Sequence, residues 1–326
     1  MDRRSFVVGS AATAAALGTW PAAAQEVYPS RAVTFINPFP PGGATAVVAR
    51  PLASVLESIL KQPMVIETKA GAAGQVGAHF ASTAKPDGYT LLMHIVSISG
   101  FAEVDRLYSR PVKFTNDDFI PIARFVADPC VLTVNDQQPY TTFKEFLDDA
   151  KKRPNELVFS SSGMHGALHL PTALFMHAAG VQMRHLPTNG GGPALTALLG
   201  NNSQVLVSSI AAANAQRRAG KVRALACFGG ARAPAIPDVP TMKELGYNIE
   251  YYLWVGMFAP KDTPAAIVTT LRDAAKRAAA DARFVEAMKN LGQDVAYLDQ
   301  AEFKAFWDAD AKRSDEAITA IGRVEG

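Results

Sequence analysis

Short apolar runs rich in β-branched residues alternate along this chain with longer stretches whose apolar positions recur every three or four residues. The runs read as strands over 33–36, 64–67, 90–94, 120–125, 131–134, 157–160, 184–186, 205–208, 224–228 and 255–259. The longer stretches read as helices over 47–60, 74–84, 142–152, 168–179, 194–199, 214–219 and 264–280. A last helix is expected over 301–321, with Phe303, Phe306 and Trp307 on its apolar face. Strands followed by helices predict βαβ units around a mainly parallel sheet, which is an α/β fold. In such sheets ligands sit beyond the carboxyl ends of the strands, so the loops that leave strands are where chemistry is expected.

Three of those loops share an unusual make-up. The first is "NPFPPGGATAVVAR", residues 37–50, which carries three prolines and two glycines and no charge from 37 to 48. Pro40 and Pro41 fix φ at two successive positions, and Gly42 and Gly43 allow backbone shapes that other residues resist. A helix then begins near Ala44 and Thr45. Its first N–H groups lack intrahelical partners and carry partial positive charge, so the loop can hold an anion with backbone alone. A tight connection with glycines placed for packing is the plainer reading of the same residues. The second loop, "PTNGGGPALTALLG", sets Gly190, Gly191 and Gly192 before Pro193, a favoured first-turn residue. The third, "SSSGMHGALHL", offers the hydroxyls of Ser160, Ser161 and Ser162 beside Gly163 and Gly166. All three follow a strand and precede a helix, and they are expected to converge on one small anionic ligand.

Composition narrows the partners. The 326 residues suffice for two domains, and 48% hydrophobic with 19% charged side chains is the balance of a soluble globular protein. The net charge of +2 and the lack of interleaved basic and aromatic residues argue against nucleic acid. Residues 1–24 read as an export signal: Arg3-Arg4-Ser5-Phe6, a short apolar core, and Ala22-Ala23-Ala24 before cleavage after Ala24. The paired arginines point to the twin-arginine route, with an ordinary secretory signal as the alternative. Cleavage removes Asp2, Arg3 and Arg4 and leaves 30 basic against 29 acidic side chains, close to neutral. The two cysteines, Cys130 and Cys227, each lie in an apolar strand-like run and read as buried thiols, with a disulfide as the alternative in an oxidising compartment.

Several chemistries find no signature. No Gly-Lys-Ser/Thr closes a phosphate loop, and no G-x-G-x-x-G follows the first strand. No G-x-S-x-G surrounds a serine. His165 and His169 are spaced to share a helical face, but "HGALH" lacks the glutamate of a zinc-protease motif, so they read as polar lining or a helix cap. His79, His94, His177 and His185 read as packing or surface residues. No metal and no cofactor is expected.

These residues point to a family. Residues 28–93 resemble the start of mature Bug proteins, also called the TctC family, the periplasmic solute receptors of tripartite tricarboxylate transporters. The motifs "PFPPGGATA", "KPDGYTLL" and "IPDVPTMKELGY" carry the resemblance, which runs in order over the mature chain. It implies a type II periplasmic binding protein: two α/β lobes joined by two crossing strands, with the ligand in the cleft. Residues 25–127 and 251–326 would form lobe 1, and 128–250 lobe 2. The resemblance places a carboxylate between Phe39, Pro41, Gly42, Gly43, Ala44 and Thr45 in one lobe and Thr188, Asn189, Gly190, Gly191, Gly192, Pro193 and Ala194 in the other. Ser97, Ser160, Ser161, Ser162, Gly163, His165 and Ser208 would line the rest. It also implies a monomeric receptor that hands its ligand to membrane permease subunits.

The chain departs from the family pattern at Ala46 and Ala197, where the family usually has Asp. Thr188-Asn189-Gly190 replaces Tyr-Lys-Gly, and Ser208-Ser209 replaces Asp-Asn. Acidic groups and one cation near the cleft are thereby missing, which disfavours an amine-bearing ligand. A mono- or dicarboxylate without an amine is expected, aromatic acids included. Two other functions stay in view: a ligand sensor for a signalling kinase, and an exported esterase using Ser161 or Ser162 with His165.

Overall fold

Val33, Phe35 and Ile36 have no exposed surface, so the first apolar run forms an interior strand with both faces covered. The computed structural model describes residues 27–324; the leader and its cleavage point lie outside the described residues. The chain runs β1 (Val33–Asn37), α1 (Ala44–Leu60), β2 (Met64–Thr68), α2 (Gln75–Ser82), β3 (Thr90–Ile95), α3 (Phe101–Leu107) and β4 (Phe119–Asn135). Then come α4 (Phe143–Lys152), β5 (Val158–Ser161), α5 (Leu170–Ala179), β6 (Arg184–Pro187), α6 (Gly191–Leu199), β7 (Val205–Ser209), α7 (Ile210–Arg218) and β8 (Val222–Cys227). It closes with β9 (Tyr252–Pro260), α8 (Ala265–Ala280), α9 (Ala282–Asn290), β10 (Leu298–Asp299) and α10 (Gln300–Ile321).

The strands follow the order β2-β1-β3-β9-β4-β7-β5-β6, with β8 and β10 also paired to β4. β1 is parallel to β2 and β3, and β5 is parallel to β6 and β7. These are the two βαβ groups that the sequence pattern predicts. The expectation of a mainly parallel sheet is corrected at the centre. There β9 runs antiparallel to β3 and β4, and β4 runs antiparallel to β7 and β8. The sheet is mixed because β4 and β9 pass between the two parallel groups and run against their neighbours.

A second correction concerns β4. The runs 120–125 and 131–134 are one strand of 17 residues. The Asp128-Pro129 step reads locally as a break. Pro129 stays in the ladder opposite Tyr252, and the next amide, Cys130, donates to the Tyr251 carbonyl at 3.0 Å. Register shifts after Pro121 and Arg124 absorb the mismatch. β4 pairs with β9 up to Pro129 and with β7 and β8 beyond it, so one strand is shared by the two halves of the sheet.

Helix α7 begins at Ile210, earlier than the pattern suggests, because Ser209 caps it by accepting from the Ala212 amide. Helices α3 and α9 are additions to the sequence reading. In α10, Phe303 and Trp307 are buried as expected, and Phe306 is half-buried. The proline-rich segment 233–247 is packed: Ile236, Val239 and Met242 are buried. Cys130 and Cys227 are free thiols, both buried. No helix among the described residues is long and apolar enough to cross a membrane.

Candidate functional site

The first loop is shaped by Asn37, the buried last residue of β1. Its Nδ2 donates to the Phe39 carbonyl at 2.9 Å. Its Oδ1 accepts from the Thr45 hydroxyl at 2.5 Å and from the Phe39 amide at 3.4 Å. Gly42 takes φ +87°, a left-handed conformation that favours glycine. Gly43 is then the N-cap of α1 and brings no side-chain cap. The first N–H groups of a 17-residue helix are thus left uncapped.

The second loop is held by hydroxyls. Thr188 donates to the Ser161 carbonyl at 2.8 Å. Ser160 donates to the Ala194 carbonyl at 2.9 Å and accepts from Ser203 at 2.8 Å. Gly190 is the N-cap of α6, again without a side-chain cap. The two loops abut. A Cβ on Gly192 would lie 3.4 Å from the Pro41 carbonyl oxygen, and one on Gly190 would lie 3.0 Å from Pro40 Cδ. At 190 a side chain would press on the opposite loop, whereas at 192 there is room for a methyl group and little more.

Between the helix starts lies a cavity of about 60 Å³. Of the predicted residues, Phe39, Gly42, Gly43, Ala44, Ser162, Gly191, Gly192 and Ser208 wall it. Ile95, Leu168, Leu195, Ser209, Ala212 and Leu253 complete the wall, and the sequence reading did not anticipate them. None of these side chains is ionisable. Hydrogen bonds in so apolar a space are stronger than in water, and an unpaired polar group there is costly. Leu168 and Leu195 follow the glycine loops directly, a signal present in the sequence. Ile95 and Leu253 come from strands and carried no such mark.

The other predicted residues fall outside this wall, for identifiable reasons. Thr45 turns inward to Asn37, and Ser160 turns inward to Ala194. Ala194 is fully buried, whereas Pro41 and Pro193 face outward. Ser97 donates to the Ala73 carbonyl at 3.4 Å. Gly163, Thr188 and Asn189 border a neighbouring hollow of about 460 Å³, beside Ala73, Tyr108 and Arg110. Arg110, the cation of that hollow, is paired with buried Asp105 at 3.1 Å.

His165 meets Tyr108, its Nε2 3.3 Å from the phenol oxygen. Ser161 shares a 2.7 Å hydrogen bond with His185, rather than with His165 as the esterase reading requires. The Nδ1 of His185 is buried without a hydrogen-bond partner, so no third group orients the ring. His169 stands at the N-cap of α5 but makes no cap hydrogen bond, so the capping role is corrected. The rings of His165 and His169 lie 5.4 Å apart, and those of His169 and His185 lie 4.6 Å apart. Burial holds all three below the usual imidazole range, His185 at about 4. Beneath the first loop, burial likewise lowers His94 to about 4, although its ring lies within hydrogen-bond reach of the Ile95 and Gly74 carbonyls.

Residues 48–323 match the profile of the tripartite tricarboxylate transporter family receptor, TctC. The chain belongs to this family. It is 34% identical over 269 residues to the protein BugT of Bordetella pertussis, covering 82% of each chain. It superposes on the periplasmic binding protein BugD with a TM-score of 0.84, at 30% identity, over 90% of this chain and 98% of that one. It superposes on MatC from Rhodopseudomonas palustris with bound malate with a TM-score of 0.82, at 28% identity, over 89% and 99%. The family is described as the receptor of tripartite tricarboxylate transporters, and in MatC the bound molecule is malate.

Proposed function

We propose that the chain is a periplasmic receptor that binds a small amine-free organic carboxylate in the interlobe cleft and delivers it to a tripartite tricarboxylate-type permease. Lobe 1 is taken as 25–127 with 251–326, and lobe 2 as 128–250. The chain acts by binding, with no chemical step. The observation that carries this reading is the pair of uncapped helix starts, α1 from one lobe and α6 from the other, facing one cavity.

A carboxylate between them accepts backbone N–H bonds from both lobes. At about 1.5–3 kcal/mol each, four or five such bonds gross roughly 6–15 kcal/mol. Ordering and desolvation offset part of that, leaving room for the roughly 8 kcal/mol of micromolar affinity. Contacts from both lobes exist only when the lobes are together, so the ligand favours the closed form. The malate held by MatC is a relative's ligand of the same chemical kind.

A thermal-shift screen of organic acids, amino acids and sugars tests this. A carboxylate at 100 times its dissociation constant adds about 2.7 kcal/mol of stability. Stabilisation by sugars or free amines, with none by any carboxylate, defeats the reading.

A further inference from the structure

We propose that the cleft selects a monocarboxylate bearing a neutral hydroxyl or keto group on a short apolar body, with Ser208 as the residue that reads that group. The inference rests on the carboxylate-receptor reading and narrows it.

Three helices of nine residues or more begin at the cavity, and their starts differ. α1 and α6 have no side-chain cap, so Ala44, Thr45, Gly191 and Gly192 present free first-turn amides. These two starts face one another across the Gly192–Pro41 contact. α7 is different: its cap Ser209 already accepts from the Ala212 amide at 3.4 Å. An anion therefore finds donors at the first two starts, whereas the third is largely answered from within the chain.

What α7 leaves is the neighbouring hydroxyl. Ser208 ends β7 in the cavity wall and is 4% exposed, and its Oγ has no hydrogen-bond partner in the protein. A buried hydroxyl is normally partnered, and this one borders the ligand space.

The chemistry of that partner is constrained. A second carboxylate beside Ser208 would meet one hydroxyl and no cation, and its desolvation would go largely uncompensated. An ammonium would meet no carboxylate. A hydroxyl or a carbonyl oxygen matches a single neutral group that can both donate and accept. Phe39, Ile95, Leu195 and Leu253 leave apolar surface for the rest of the ligand, and about 60 Å³ keeps it short.

Isothermal titration of the chain from residue 25 with three matched series of acids tests the proposal. The series are unsubstituted (butyrate), hydroxy or oxo (3-hydroxybutyrate, acetoacetate) and dicarboxylate (succinate), extended to six carbons. The tightest binder is expected in the hydroxy or oxo series, about tenfold or more above the dicarboxylate of equal length. Ser208→Ala should remove most of that advantage and leave the unsubstituted acids within about twofold. Ser208→Cys, close in size, serves if the alanine variant does not fold. A dicarboxylate that binds as well as its hydroxy counterpart overturns the proposal and leaves the receptor reading standing. Equal losses across all series on Ser208→Ala overturn the role of Ser208. Binding by none of the series defeats the receptor reading itself.

Discussion

The phenol oxygen of Tyr108 lies 3.3 Å from Nε2 of His165, and the two residues follow strands of the two different parallel groups, β3 and β5. The rings also pack edge to face, with centroids 5.7 Å apart. Tyr108→Phe keeps the ring and removes this bond together with the two that the same oxygen makes with the Val324 backbone at 3.0 Å; of the three, only the bond to His165 reaches the loop after β5. A net hydrogen bond contributes about 0.5–1.5 kcal/mol, so carboxylate affinity should fall about two- to tenfold. Small-angle scattering of the free protein should show a larger radius of gyration. Unchanged affinity and radius would mean that this bond does not hold the lobes together.

Gly192 offers a steric test of the same closure. A methyl group fits, since a Cβ there would sit 3.4 Å from the Pro41 carbonyl oxygen. Gly192→Ala should therefore bind within about threefold of the parent. The branches of Gly192→Val must push into the opposite loop. Overpacking costs about 1–3 kcal/mol, and it falls on the approach of the two loops, because residue 192 stays half-exposed even with the opposite loop in place. Titration should show affinity reduced about tenfold while the melting temperature without ligand holds. A valine variant that binds like the parent would refute the loop contact.

What the sequence showed and hid follows from range. The loops 37–50 and 187–200 were legible because their proline and glycine chemistry is local, and the family resemblance extended that reading to the two-lobed fold. Ser162 and Ser208, also named from the sequence, line the cavity. Ser160 and Thr188 were polar residues in the right loops, but register turned them into braces: Ser160 pairs with Leu186 and Leu206 and points at Ala194. The runs 120–125 and 131–134 read as two strands because a pattern is judged on its neighbours in sequence, whereas the ladder with β9 is set by residues far along the chain. Leu253 entered the cavity wall through that same long-range pairing.

Acid should destabilise the protein through His94 and be opposed by Asp128. His94 falls from an ordinary 6.5 to about 4 on folding because it is buried. Above pH 6.5 both states hold it neutral. As pH falls toward 4 the unfolded chain binds the proton first, and stability is lost by about 1.4 kcal/mol per unit. Asp128 moves the other way, from 3.8 to about 6, again through burial, although Gln293 donates a hydrogen bond to it. Between those values the folded chain binds the proton first, so stability rises as pH falls. His94→Gln should flatten the acid-side loss in urea titrations at pH 7.5, 6 and 4.5. Asp128→Asn should be stabilised at pH 7.5 by about 1–3 kcal/mol and lose stability more steeply in acid. Destabilisation of Asp128→Asn at pH 7.5 would contradict the assignment.

Asn37 is the residue on which the first anion loop turns. Its amide meets Phe39 through both backbone groups and takes the Thr45 hydroxyl, and all of these atoms are withdrawn from water. Asn37→Ala leaves a carbonyl and a hydroxyl without partners and removes the longer, 3.4 Å acceptor of the Phe39 amide. Each such orphan costs about 1–3 kcal/mol, so urea denaturation should register a loss of about 2–4 kcal/mol in all. The loop should also lose its shape, and carboxylate affinity should drop with stability. Thr45→Val separates the two effects: it keeps volume and deletes one hydroxyl, so its loss should stay near 1 kcal/mol with most binding retained. Asn37→Asp replaces the donor to Phe39 with a negative oxygen beside the uncapped start of α1. That carboxylate competes with the ligand for the same partial charge. Binding should then weaken more than in the alanine variant and recover as pH is lowered and the aspartate is protonated. If Asn37→Ala binds as tightly as the parent, the helix start does not depend on this brace.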